Sequence, residues 1–278
     1  MVRTRNLVVV FAICIAAVSS NAAFAQFIND SFSTFANGNL VGQNGWTQLA
    51  SGPTPGNAPI QVVGGQVGIP VLGVQAATVD NQDAYKAFTN VPAPAVGTTA
   101  VYVGLVMSVN ASFTSPSPNP GTPTPSYFMA LTDSPAGFAN ERLTAKDNGV
   151  GTGYFLGARV TGQAAYPFVF GTTSLTYGQA YNIVVEADMV AGLSNDMIKV
   201  YINPGLPTAT PYLVETGTGT DPTALADIIL SQFASTTVFE SGVNIQSVKV
   251  NTDFFAVIPE PATLALFGAG LLLARRRR

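Results

Sequence analysis

Two carboxylates, Glu186 and Asp188, sit two residues apart in the apolar run Tyr181-Asn182-Ile183-Val184-Val185-Glu186-Ala187-Asp188-Met189. Successive side chains of a β-strand alternate between faces, so these two project together, and paired carboxylates are the groups that hydrolyse glycosidic bonds. The same spacing on an outward-facing strand is also an ordinary pair of solvated acids. Glu141 and Asp147 are further acids, in a stretch that reads as a loop without recognisable spacing. The chain contains no histidine. That excludes Ser-His-Asp and Cys-His nucleophiles and imidazole zinc sites, and leaves carboxylates as the main catalytic or metal-binding groups. The only cysteine, Cys14, lies near the amino terminus. No catalytic residue is assigned from these types and spacings.

The elements that must position such groups are strands. From Val101, the odd positions Val101, Val103, Leu105, Met107 and Val109 are all apolar while the even ones are mixed, the period-two pattern of a strand packed on one face. Similar segments run over Phe27–Phe35, Ile60–Val67, Tyr127–Leu131, Tyr154–Val160, Tyr181–Met189, Met197–Ile202, Val243–Val250 and Phe254–Ile258, separated by Gly, Pro, Asn and Asp. One helix is predicted over Thr223–Phe233, opened by Asp221-Pro222. The pattern predicts an all-β, antiparallel β-sandwich of jelly-roll type rather than a parallel α/β sheet. Thr114 to Pro125 holds five prolines and reads as an extended excursion between two core strands, a surface loop or a peptide-docking arm.

Both ends read as addresses. Arg3 and Arg5, the apolar stretch from Leu7 to Val18 and Ala23-Phe24-Ala25 before Gln26 have the layout of a secretory signal peptide, residues 1–25, with Ala23 and Ala25 at the cleavage site. A chain cut there carries no thiol and no disulfide, and its core or bound ions must hold it together. At the other end Pro259-Glu260-Pro261 precedes thirteen apolar residues, Ala262 to Ala274, and then Arg275, Arg276, Arg277 and Arg278. As a helix that run spans roughly 20 Å, short of a hydrocarbon core of about 30 Å, so it is a marginal anchor. The arginines belong on the cytoplasmic side and Pro259-Glu260-Pro261 on the opposite one. This order of elements over residues 257–278 resembles the PEP-CTERM sorting signal of exported bacterial proteins. The resemblance implies signal peptidase and an exosortase-type membrane protease as partners, and transient inner-membrane association before delivery to the cell surface or beyond it.

Between the two ends, residues 26–256 form one predicted domain. Up to Ile258 the body has six basic residues against fourteen acids, a net charge of −8, and lacks the basic patch a nucleic-acid binder needs. Asn29-Asp30-Ser31-Phe32, Asn39-Leu40-Val41-Gly42-Gln43-Asn44-Gly45-Trp46, the strands ending in Ile202-Asn203-Pro204 and the closing Val250-Asn251-Thr252-Asp253-Phe254-Phe255 resemble the LamG-like, concanavalin A-like jelly-roll family. The resemblance implies that the last strand returns beside the first. It also implies a structural calcium near Asp30 and Asp253, with carbonyls and water completing the shell; the alternative is that these acids cap turns. Laminarinase-type members carry Glu-x-Asp-x-x-Glu on the strand equivalent to Glu186 and Asp188. Here Ala191 stands in the third position, which leaves a retaining mechanism without its proton donor. Trp46, with Tyr85, Tyr154 or Tyr166, either stacks on sugar rings or packs in the sandwich. The expectation is a non-enzymatic exported protein, structural or adhesive to extracellular polysaccharide; the alternative is a secreted glycoside hydrolase.

Overall fold

A computed structural model of the chain describes residues 27–49, 59–69, 83–110, 127–134, 141–160, 168–231 and 242–258. The signal peptide with Ala23 and Ala25, Cys14, the proline-rich excursion, Tyr166, Pro259-Glu260-Pro261 and the terminal arginines lie outside those residues. Seventeen strands occur among the described residues. The first five are β1 (Ile28–Ser31), β2 (Gly38–Asn39), β3 (Thr47–Gln48), β4 (Gln61–Val63) and β5 (Gln66–Ile69). Then follow β6 (Ala84–Pro92), β7 (Thr98–Val109), β8 (Met129–Thr132), β9 (Glu141–Asp147), β10 (Gly153–Arg159), β11 (Val169–Phe170) and β12 (Leu175–Thr176). The last are β13 (Tyr181–Val190), β14 (Met197–Ile202), β15 (Leu213–Thr216), β16 (Ala224–Leu230) and β17 (Val243–Asn251), before a one-turn helix α1 (Phe254–Val257).

The strands form two antiparallel sheets. Sheet A has the order β15-β14-β13-β7-β17-β5-β4-β2, with β1 also on β17; sheet B has the order β11-β10-β9-β8-β16-β6-β3, with β12 also on β10. The expected return of the last strand beside the first is present, Ile28 facing Val250 and Ser31 facing Ser247. Val101, Val103, Leu105, Met107 and Val109 all point into the core between the sheets, as the alternation predicts. Each such side chain contributes roughly 1.5–3 kcal/mol of burial. The β4–β5 hairpin turns on Gly64 and Gly65, with φ of 59° and 80°, values that fit a Gly-Gly two-residue turn.

Two expectations need correction. Residues predicted as a helix over Thr223–Phe233 contain strand β16, which pairs with β6 on one side and β8 on the other. Ala224, Leu225 and Ala226 favour a helix locally, but pairing on both edges in the middle of sheet B outweighs that weak preference. Conversely Phe254–Ile258 is not a strand. Asp253 accepts the Phe255 N–H at 2.9 Å and caps α1, which turns the chain across the outer face of sheet A. No helix among the described residues is long and apolar enough to cross a membrane.

On that outer face Phe254 and Val257 pack against Val184 and Tyr201, with Tyr102 at the edge, forming a second small core. Gly104 makes room for it: a Cβ there would run into the Val257 carbonyl. Gly104→Ala is therefore expected to lift α1 and destabilise the protein by about 1–3 kcal/mol, a cost of overpacking. Urea denaturation of the variant, with limited proteolysis near residues 252–258, checks it.

Candidate functional site

The acids picked out in the sequence are placed in three different settings. Asp30, on β1, is 2 % exposed and accepts four hydrogen bonds: from Asn44 Nδ2 (2.8 Å) and Lys86 Nζ (2.9 Å) on Oδ1, and from Trp46 Nε1 and Lys86 Nζ, each 2.8 Å, on Oδ2. The Lys86 ammonium already supplies the positive charge that calcium would bring, and donors fill both oxygens. Asp253 caps α1 and is placed for that role. The calcium position implied near Asp30 and Asp253 therefore does not fit these side chains. Trp46 is 1 % exposed, tilted against Phe32, with its N–H on Asp30. Tyr154 is fully buried. Neither ring presents a face to a sugar, because both fill the space between the sheets.

Glu186 and Asp188 do share a face of β13, as their spacing requires. That face is the one α1 packs on, and the Lys199 ammonium on β14 bridges the two acids at 2.8 and 2.6 Å. Tyr201 donates its hydroxyl to the second oxygen of Glu186 at 2.6 Å. Burial raises the Asp188 carboxyl above its ordinary value, the Lys199 ammonium opposes that, and the Glu186 charge adds to it. Burial alone would lower Lys199, but hydrogen bonds to both carboxylates carry it above the ordinary lysine value. The arrangement is an ion network in which Lys199 and Tyr201 engage both oxygens of Glu186 and one of Asp188.

A different constellation emerges on sheet B. Glu141 and Asp147, read as loop acids, bound strand β9, and β9 pairs with β10 so that Arg142 faces Arg159, Thr144 faces Gly157 and Lys146 faces Phe155. Directly opposed like charges destabilise a strand pair. Aromatic rings offset part of that cost: Arg142 lies 4.9 Å from the Tyr127 ring centroid, Arg159 lies 5.1 Å from Phe168, and Lys146 lies 4.0 Å from Phe170. Arg159 is buried, and its guanidinium is lowered to about 10 by burial and by Arg142. Arg142, Lys146, Tyr127, Phe155 and Phe170 are partly exposed. Tyr85, named in the sequence as a stacking candidate, belongs to the same outer face, packed with Tyr127 around Ala130 and Ile229. Half of the six basic residues of an acidic body thus gather on two neighbouring strands beside aromatic rings. Residues 142 and 159 are seventeen positions apart, so no local motif announces the pair; the alternation Arg142-Leu143-Thr144-Ala145-Lys146 was the only sequence signal for the face.

Residues 257–278 match the PEP-CTERM protein-sorting motif, a signal for export and surface sorting that is processed by exosortase. No curated relative matches the sequence. Among solved structures, alginate lyase Aly36B is similar with a TM-score of 0.51 at 10 % identity, over 82 % of this chain and 98 % of that one. The CBM2 module of the Lactobacillus casei BL23 phage J-1 evolved Dit protein has a TM-score of 0.43 at 12 % identity, over 82 % and 97 % of the two chains. The endo-1,3-β-glucanase from Streptomyces sioyaensis has a TM-score of 0.41 at 12 % identity, over 82 % and 96 %. At 10 % identity the likeness to the alginate lyase speaks for the fold alone, an antiparallel sandwich of two sheets.

Proposed function

We propose that this chain is a surface-sorted adhesive protein that holds acidic polysaccharide, one bearing uronate or sulfate groups, on the outer face of β8–β9–β10 and performs no catalysis there. In this reading a signal peptidase removes the amino-terminal segment and the carboxy-terminal tail anchors the protein briefly in the inner membrane before exosortase processing.

Arg142 and Lys146, partly exposed on one face of β9 beside Tyr127, Phe155 and Phe170, carry the proposal. In a body that is otherwise strongly acidic, half of the basic residues gather on β9 and β10, and a polyanion would meet positive charge there. Guanidinium groups bind carboxylate or sulfate in a planar, two-point manner, and the flanking Tyr127, Phe155 and Phe170 offer flat apolar surface for sugar rings. The non-enzymatic part of the proposal is supported by the engagement of Glu186 and Asp188 by Lys199 and by Ala191 in place of a third acid.

The test is calorimetric titration of the full-length chain with polygalacturonate and with neutral dextran. Binding to the acidic polymer that weakens as salt rises is expected, with Arg142→Ala plus Lys146→Ala lowering affinity at least about tenfold. Equal binding of both polymers, or of neither, overturns the proposal. Release of unsaturated or reducing sugar ends during the titration would replace adhesion by cleavage.

A further inference from the structure

The chain leaves the sandwich on the outer face of sheet A, and it leaves with little slack. Val257, where the matched sorting motif begins, is fully buried with Phe254, Val184 and Tyr201, and Ile258 rests against the same cluster. The first two residues of the motif are therefore also part of the folded body. Ala262, where the apolar run starts, is four residues past Ile258, so their Cα atoms are at most about 14 Å apart even in a fully extended chain. The headgroup layer on one side of a bilayer takes up roughly 5–7 Å of that reach, which leaves less than about 10 Å for any gap between body and membrane.

The surface around that exit differs from the rest of an acidic body. Ala209, in the loop between β14 and β15, packs on the same cluster as α1, and its N–H donates to the Leu206 carbonyl at 3.1 Å, which holds the turn of that loop next to α1. Leu206 and Phe255 are each 57 % exposed. Val214 on β15, directly opposite Lys199 and so on the same face, is exposed as well. No charged residue occurs from Tyr201 to Val214 or from Phe254 to Ile258. An anionic lipid surface repels a body of net charge −8, and an uncharged, partly apolar patch is the part of it that can approach at least cost.

We propose that the face made by α1 and the β14–β15 loop is held against the lipid headgroups by this short connection while the tail is anchored, with Leu206 and Phe255 reaching the boundary of the acyl chains. The proposal rests on the reading of the tail as a membrane anchor and does not depend on the polysaccharide reading. It turns the outer face of sheet A down and the outer face of sheet B, with Arg142 and Lys146, away from the membrane. The sorting protease would then meet a motif seated on the sandwich rather than one on a free tether, and removal of the tail would release the face from the lipid.

The experiment attaches a fluorophore to one introduced thiol at a time, in Leu206→Cys, Phe255→Cys, Val96→Cys and Val150→Cys, using the exported chain with its tail intact, which has no cysteine of its own once residues 1–25 are removed. Val96 in the β6–β7 turn and Val150 in the β9–β10 turn are the controls, apolar positions even more exposed than Leu206. In vesicles of phosphatidylethanolamine and phosphatidylglycerol, the labels at 206 and 255 should shift to the blue and lose fluorescence to brominated acyl chains, while those at 96 and 150 keep their aqueous spectra. A spacer of about twenty Gly and Ser residues between Ile258 and Pro259, with a mean reach of roughly 25 Å, should return the first two labels to aqueous values. Flotation of the vesicles reports the anchor separately: a chain that does not float refutes the anchor reading and this proposal with it. A chain that floats with all four labels alike overturns the proposal alone, as does a shift at 206 and 255 that survives the spacer.

Discussion

Asp30→Ala is expected to destabilise the protein by about 3–5 kcal/mol, measured as a shift in the urea midpoint at neutral pH, because it strands a cation and a buried N–H. Asp30 joins segments far apart in the chain: β1 carries it, the turn before β3 supplies Asn44 and Trp46, and β6 supplies Lys86. Since β1 belongs to sheet A and β6 to sheet B, the Asp30–Lys86 pair is a polar bolt across the sandwich. Without the carboxylate the Lys86 ammonium, 15 % exposed, loses its ion-pair partner, and the Trp46 N–H loses its acceptor. Trp46→Phe provides the contrast. It removes the donor but leaves Asp30 paired with Lys86, so its cost should be nearer the 1–3 kcal/mol of one unsatisfied group and some lost packing. A loss below about 1 kcal/mol for Asp30→Ala would show that the pair is solvated and open to exchange with another cation.

The fold was legible because burial imposes period two. Val101 to Val109 and Tyr181 to Met189 announce themselves by alternation, and the Asn29-Asp30 opening and the closing Val250-Asn251 segment are paired as their order suggested. Local pattern failed where tertiary pairing decides. Residues 224–230 have apolar side chains on both faces and helix-favouring alanines, and only their place between β6 and β8 makes them a strand. At the carboxy end a single capping acid, Asp253, converts an apolar run into a helix.

The candidate sites were less legible for a related reason. Glu186 and Asp188 lie two residues apart in sequence, so their shared face was evident, but Lys199 and Tyr201, which bond to them, arrive from the next strand. Arg142 and Arg159 face each other only through the β9–β10 register.

Lys199→Met should likewise cost about 3–5 kcal/mol at neutral pH, because it leaves Glu186 and Asp188 as adjacent, largely buried anions facing α1. The loss should depend on pH with a definite sign. Burial already raises Asp188 above its unfolded value, and removing the ammonium raises it further. Folding of the variant then takes up protons, so its stability falls as pH rises above the ordinary carboxylate range and recovers as pH falls into it. Urea denaturation at pH 5 and pH 8 should therefore show a larger deficit at pH 8. Adding Glu186→Gln and Asp188→Asn to the variant should restore most of the loss and flatten the dependence, because neutral amides carry no charge to desolvate. A deficit below about 1 kcal/mol with no pH dependence would mean that water reaches both acids. That outcome would leave Glu186 and Asp188 open to a substrate, as the paired carboxylates of a glycosidase must be, and would count directly against a purely adhesive role.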